Sequence, residues 1–164
     1  TSNHDENSWQ GSAIERMGDD ARAFFALAFM MDQSFPLLYT GQEAGIDFRF
    51  PFFSKDTVGV NWSANTDHAD FYALLFELKH NHPALWNGAA GAQPVFFEVE
   101  SDKAMAWKRS KAGNSVVTAI NLSDASIEMK LSLDESYAIA WGQAMPQDRV
   151  TIGPHQAAVW IRNE

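Results

Sequence analysis

The hydrophobic periodicity of this chain changes near residue 90, and that change constrains its fold more than any other feature. Before the small-residue segment Gly88-Ala89-Ala90-Gly91-Ala92 the apolar residues recur at helical spacing, and beyond it they alternate with a period of two. A helix-forming half and a strand-forming half predict an α+β chain, divided here into residues 1–90 and 91–164. Hydrophobic residues make up 46% of the 164 positions, enough for one sizeable core or two small ones.

In the first half, residues 18–32 predict a helix. Asp19 and Asp20 suit the positive end of its dipole, and the run from Ala23 to Met31 is apolar around the whole circumference. Such a helix demands burial on several sides. After Pro36, Leu37-Leu38-Tyr39 with Thr40 predicts a strand buried on both faces, closed by Gly41. Residues 45–65 are rich in Phe without a sustained period and read as a structured loop. A second helix is expected over 67–81, because Phe71, Leu74, Leu75 and Leu78 share one face; Thr66 or Asp67 would cap it and Pro83 would end it.

The second half predicts seven short strands, over 95–100, 104–109, 116–122, 127–133, 137–141, 150–152 and 157–162. Turn residues such as Ala112-Gly113-Asn114 and Gly153-Pro154 separate them, which suggests an antiparallel Greek-key sandwich. Residues 127–133 alternate apolar and polar strictly, so that strand should have one buried and one wet face.

Charge and length remove several functions. A formal net charge of −9 repels phosphate backbones and anionic lipid, and no Lys/Arg stripe offsets it, so neither nucleic acid nor membrane is an expected partner. The longest apolar run falls well short of the roughly 20 residues a spanning helix needs. With no cysteine there is no thiolate nucleophile, thiolate metal site or disulfide, which fits either redox compartment.

The densest polar cluster is Thr1-Ser2-Asn3-His4-Asp5-Glu6-Asn7-Ser8-Trp9. Asn3-His4-Asp5 places an amide, an imidazole and a carboxylate in succession, able to bond hydroxyls and to hold negative charge against a developing cation. Alone, such a tripeptide is more often a solvated loop. A metal site from His4, Asp5 and Glu6 lacks further ligands at defined spacing. His80 and His82, two apart on a helix, point in different directions and read as a solvated helix-end pair. Asn61-Trp62-Ser63 and Asn121-Leu122-Ser123 match the glycosylation pattern, which is short enough to occur by chance.

Taken in order, the opening cluster, Glu15-Arg16, then Pro36-Leu37-Leu38-Tyr39-Thr40-Gly41-Gln42-Glu43, then Phe52-Phe53-Ser54-Lys55-Asp56 with Trp62, resemble the C-terminal part of the α-amylase family of glycoside hydrolases. The resemblance covers essentially the whole chain. It implies that residues 1–90 are the last part of a (β/α)₈ barrel, a remnant of two helices and one or two short strands, and that 91–164 are the family's β-domain. Asp5 matches the family's third catalytic carboxylate, which stabilises the transition state by gripping the reacting sugar, and His4 matches the histidine that bonds the same sugar. Asn3 would support their geometry and contact substrate, Trp9 would line the rim, and Gln42 and Glu43 would hold the barrel edge. Catalytic groups on loops after barrel strands fit that architecture. The resemblance implies retaining action on starch or maltodextrin without an organic cofactor. The family often carries structural calcium, but no ligands for it can be placed in these residues. The nucleophile and acid/base would lie upstream of Thr1, so this stretch alone is expected to be inactive.

Two further readings belong to other classes. Six tryptophans suit a non-catalytic glucan-binding module, although Trp107, Trp141 and Trp160 fall in predicted strands, where core is the commoner role. Alternatively the chain associates, because the 18–32 helix would lack its barrel neighbours; a homodimer is expected.

Overall fold

The computed structural model describes residues 1–54, 59–63 and 66–163. Its second half forms seven antiparallel strands: β1 (Val95–Phe96), β2 (Ala104–Lys111), β3 (Asn114–Asn121), β4 (Ile127–Lys130), β5 (Ala138–Trp141), β6 (Arg149–Ile152) and β7 (Gln156–Asn163). Five of them make one sheet in the order β1-β2-β3-β7-β5, and β4 pairs with β6 apart from it. Every strand predicted in this half forms. The one over 127–133 stops at Lys130 because Ser132 takes a left-handed φ of 50°. Leu131 and Ser132 then donate their N–H groups to Asp148 O instead of continuing the ladder.

Pleating sends successive side chains to opposite faces. In β3, Val117 and Ala119 join Trp160, Met129 and Val150 between the two sheets, while Val116 and Ile120 point to the helices. β3 is buried along its whole length, so it is the middle of three layers.

The helical half contains α1 (Ala13–Met17), α2 (Ala21–Met30) and α3 (Thr66–Asn81). The predicted 18–32 helix starts as a 3₁₀ turn at Gly18–Asp20 and continues as α2. The preceding α1 was not expected. Ser12 starts it by a capping box: Ser12 Oγ accepts from Glu15 N at 3.0 Å, and Glu15 Oε2 accepts from Ser12 N at 2.7 Å. The caps proposed for α3 lie inside the helix, which already includes Thr66 and Asp67, and the residue before it is outside the described residues.

α2 is covered on several sides, as its composition demands. Ala23, Phe25, Ala26, Phe29 and Met30 are buried against Phe71 and Leu75 of α3 and against Trp107, Val116 and Val159 of the sheet. Each large apolar side chain so enclosed contributes roughly 1.5–3 kcal/mol. The apolar surface expected to drive association is therefore not on this helix; Phe35 and Leu37, beyond its end, are 88% and 53% exposed.

The strand predicted over 37–40 does not form. A doubly buried strand needs flanking strands, and none among the described residues pairs with it. Gln42 serves the segment instead, its Oε1 accepting from Tyr39 N at 2.7 Å before a turn at Gln42–Ala44.

One buried cation joins the halves, and a half-buried one braces the helical half. Arg109 of β2 is fully enclosed and donates to the carbonyls of Ala92, Met30, Leu85 and Trp86 at 2.7, 3.0, 3.3 and 2.7 Å, with Asp32 at 3.4 Å. Lys79 of α3 donates to Phe29 O, Leu85 O, Ser34 Oγ and Asn87 Oδ1. The small residues at 88–92 acquire a reason here: a Cβ on Gly91 would lie 1.6 Å from Trp86 O, the carbonyl that Arg109 binds.

His82 corrects an expectation. It is buried, not solvated, because Asn114 at the start of β3 donates Nδ2 to its Nδ1 at 2.7 Å. Burial holds its pKa below the ordinary value, against the opposing Asn114 contact. Asn121 is likewise enclosed, donating to Ala125 O, Ile152 O and Gly153 O, so its glycosylation pattern is a coincidence of sequence.

Candidate functional site

The opening cluster is a helical turn, not an irregular loop. Asn3 Oδ1 accepts from Glu6 N at 2.9 Å, Asn7 N donates to Asn3 O at 2.9 Å, and a π-type turn follows over Glu6–Gln10. His4 and Asp5 project from its start with side chains 69% and 63% exposed, and His4 Nε2 lies 3.5 Å from Asp5 Oδ2. Neighbouring residues in a turn with both polar ends in water can meet a polyhydroxylated ligand without first breaking internal bonds.

Glu6 is committed elsewhere. Its carboxylate holds Arg16 Nη1 at 2.5 Å, and Arg16 also donates Nη2 to Thr1 O at 3.2 Å. Glu6 and Asp5 therefore do different work despite their adjacency.

Asn7, which sequence reasoning passed over, anchors the turn. It is buried, its Oδ1 accepts from Phe50 N at 2.8 Å, and its Nδ2 donates to Phe48 O at 3.2 Å. One amide thus replaces a strand partner for the Phe-rich segment. A second tie runs from Arg49 Nε to Glu15 Oε2 at 3.3 Å. Nothing local distinguishes Asn7 from Asn3 in sequence, since its partners lie more than 40 residues away.

These ties bring Phe52 beside the turn. His4 and Phe52 rings are 6.0 Å apart, Trp9 and Phe52 5.2 Å, and Phe52 and Phe53 4.8 Å. A depression of about 220 Å³ opens between His4, Ser8, Tyr39, Thr40 and Phe52. Of the four site residues expected from sequence, His4, Asp5 and Trp9 are exposed at this end of the molecule, while Asn3 is half-buried with its oxygen on the turn's own backbone. Gln42 is buried and Glu43 half-buried beside the 39–45 turn. Lys55 and Asp56 of the expected motif lie outside the described residues.

Among the tryptophans, Trp107 and Trp160 are core and Trp141 is partly buried against Phe71, whereas Trp9 and Trp62 are 55% and 59% exposed. No group of three His, Asp or Glu side chains among the described residues is arranged to hold a metal ion, and none of their helices is long and apolar enough to cross a membrane.

No family model and no curated protein matches this sequence. Solved structures do match its fold. The chain superimposes on a debranching enzyme from Nostoc punctiforme, soaked with acarbose, with a TM-score of 0.68 at 14% identity, over 97% of this chain and 32% of that one. An α-amylase from Geobacillus thermoleovorans, in complex with acarbose, gives 0.66 at 16% identity over 94% and 34%. The cyclic α-maltosyl-(1→6)-maltose hydrolase of Arthrobacter globiformis gives 0.63 at 16% over 93% and 32%. The chain thus has the fold of a segment of α-amylase family enzymes and spans about a third of their length.

Proposed function

We propose that residues 1–90 are the closing part of a (β/α)₈ barrel and residues 91–164 its β-domain, in an enzyme that acts on α-glucans such as starch and maltodextrin with retention. One observation carries the reading: an imidazole and a carboxylate stand exposed together on a turn locked by a buried amide, in a chain that shares its fold with glucan-acting enzymes.

Retaining hydrolysis uses a nucleophilic carboxylate and an acid/base carboxylate about 5–5.5 Å apart. At this turn Asp5 is exposed while Glu6 is tied to Arg16, so the chain offers one carboxylate for the sugar and not the pair. Asp5 stabilises positive charge developing on the reacting ring, His4 and the Asn3 amide bond its hydroxyls, and Trp9 lines the rim. The nucleophile and the acid/base come from residues outside this chain, which alone turns over nothing. Among the described residues no group of three His, Asp or Glu side chains is arranged to hold a structural calcium.

The edge formed by residues 34–43 supports a missing neighbour. Phe35 and Leu37 are exposed, and Ser2 Oγ, Gln42 Nε2 and Glu43 Oε2 are buried without a hydrogen-bond partner among the described residues. Such a face closes against further barrel strands in the whole enzyme; in the isolated chain it pairs with a second copy, giving a homodimer. Light scattering at micromolar concentration tests this, and a monomer mass removes it.

Activity decides the main reading. The isolated chain should release no reducing ends from soluble starch above buffer. In a longer polypeptide carrying the upstream residues, Asp5→Asn should lower kcat by roughly 10²–10³-fold with little change in KM. Unchanged turnover would remove Asp5 from the reaction.

A further inference from the structure

We infer that Phe52 and Phe53, with Trp9, form an aromatic shelf that takes the pyranose ring next to the one gripped at His4 and Asp5, and so sets how much of a glucan chain this site needs to bind. The inference rests on the α-glucan reading for the identity of the ring, and on geometry for the shelf itself.

The chain can bury aromatic rings: Phe25, Phe29 and Phe71 are each 1% exposed or less. Phe53 is 87% exposed and Trp9 55%, yet they stay together in water, with ring centres 6.1 Å apart and Phe53 edge-on to Trp9 at 70°. Phe53 also stands edge-on to Phe52 at 76°. A contiguous exposed aromatic cluster beside polar groups marks a binding surface more often than a folding device. Phe52 is the central member, since its ring meets His4, Trp9 and Phe53.

The shelf is held by construction. Asn7 fixes both Phe48 and Phe50, Phe48 and Phe50 pack edge to face at 5.4 Å, and Phe50 meets Tyr39 at 6.1 Å. The two residues that follow Phe50 and Pro51 are thereby delivered to the rim with little freedom to spend on binding. On one side of Phe52 lies the depression shared with His4, Ser8 and Thr40, whose hydroxyl and imidazole groups match the hydroxyl edge of a sugar. Beside it stand the exposed rings of Phe53 and Trp9, whose apolar surface matches the carbon-bound hydrogens of a pyranose. A neutral saccharide chain, polar at its edges and apolar on its ring faces, satisfies both sides; a peptide or a lipid satisfies one.

The test is an NMR titration of this chain with maltoheptaose, following the Trp9 indole N–H. Maltoheptaose should shift that signal. Phe53→Ala should weaken binding about fivefold, Phe53→Trp should restore it, and Phe35→Ala, which removes an equally exposed ring that is not part of the shelf, should leave it unchanged. Phe53 supports no core, so loss of fold does not confuse the result. No Trp9 shift with the wild-type chain, or an equal loss from Phe35→Ala, overturns the shelf while leaving the glycosidase reading to the Asp5→Asn assay. Cellohexaose provides the other separation: binding equal to that of maltoheptaose supports a pyranose shelf and counts against an α-glucan enzyme.

Discussion

The strand-rich half and the helical half of this chain satisfy their backbones in different ways. In the sheet, ladder bonds pair the main chain of β2, β3 and β7 residue by residue, and side chains are free to pack two cores. In the helical half, the stretches between helices have no ladder, and individual side chains do that work: Asn7 for Phe48 and Phe50, Gln42 for Tyr39, Arg109 and Lys79 for the carbonyls near Leu85. A ladder spreads the load over many weak bonds. A side-chain brace concentrates it, so single substitutions should separate the two halves sharply.

The largest effect is expected from Arg109→Ala. Removing this guanidinium takes the ion-pair partner from Asp32 and a donor from four carbonyls, and breaking a buried hydrogen-bonded charge costs about 3–5 kcal/mol. The loss should be uneven. Amide exchange in α2 and in the 85–92 segment should accelerate before that of β4 and β6, whose core lies on the far side of the sheet. Uniform acceleration throughout the chain would show that the two halves unfold as one unit.

Asn7→Ala should cost less, about 2 kcal/mol, because two neutral backbone groups lose their partner rather than an ion. Urea unfolding measures the cost. The same variant should release the Phe-rich segment and abolish the Trp9 response to maltoheptaose, although Asn7 is buried and touches no ligand. Retained binding in Asn7→Ala would mean that the segment is held by its aromatic packing and not by the amide.

The contrast also explains what could be read in the sequence. Alternation at 127–133, and seven apolar runs between turn residues, located all seven strands, because a period of two is a local signal and each strand finds its partner within the same stretch of chain. The periodic α3 and the all-apolar α2 were legible for the same reason. The strand over 37–40 was not, since its apolar run presupposed neighbours that the described residues do not supply. His82 looked solvated from its helix-end position, and only its meeting with Asn114, 32 residues on, encloses it. Likewise His4 and Asp5 stood out as a polar cluster, whereas Asn7 and the ring contacts of Phe52 depend on long-range pairing that no local pattern encodes.

The smallest effect concerns a charged link across the same boundary. His155, in the β6–β7 turn at a left-handed φ of 55°, places Nδ1 3.0 Å from Asp20 Oδ1 and Nε2 3.2 Å from Asp124 Oδ1. Asp20 precedes α2 and Asp124 follows β3, so one imidazole spans both halves, with Arg22 across the adjoining cleft. Both ring nitrogens can donate only when the ring is protonated. The hydrogen bond to Asp20 is the largest influence, and together with the charge of Asp20 and the contact with Asp124 it outweighs the opposing burial and raises the His155 pKa above its ordinary value. A raised folded-state pKa means that this stabilisation is complete below the unfolded value of about 6.5 and is lost as pH rises through the folded value. Urea midpoints should therefore fall slightly as pH rises from 6 to 8. His155→Gln, which cannot carry the charge, should flatten that slope at every salt concentration, and Asp20→Asn should reduce it more than Asp124→Asn, whose carboxylate is 89% exposed. An unchanged slope in His155→Gln would assign the pH dependence to another group, with buried His82 excluded by its opposite sign: a lowered pKa makes stability rise with pH.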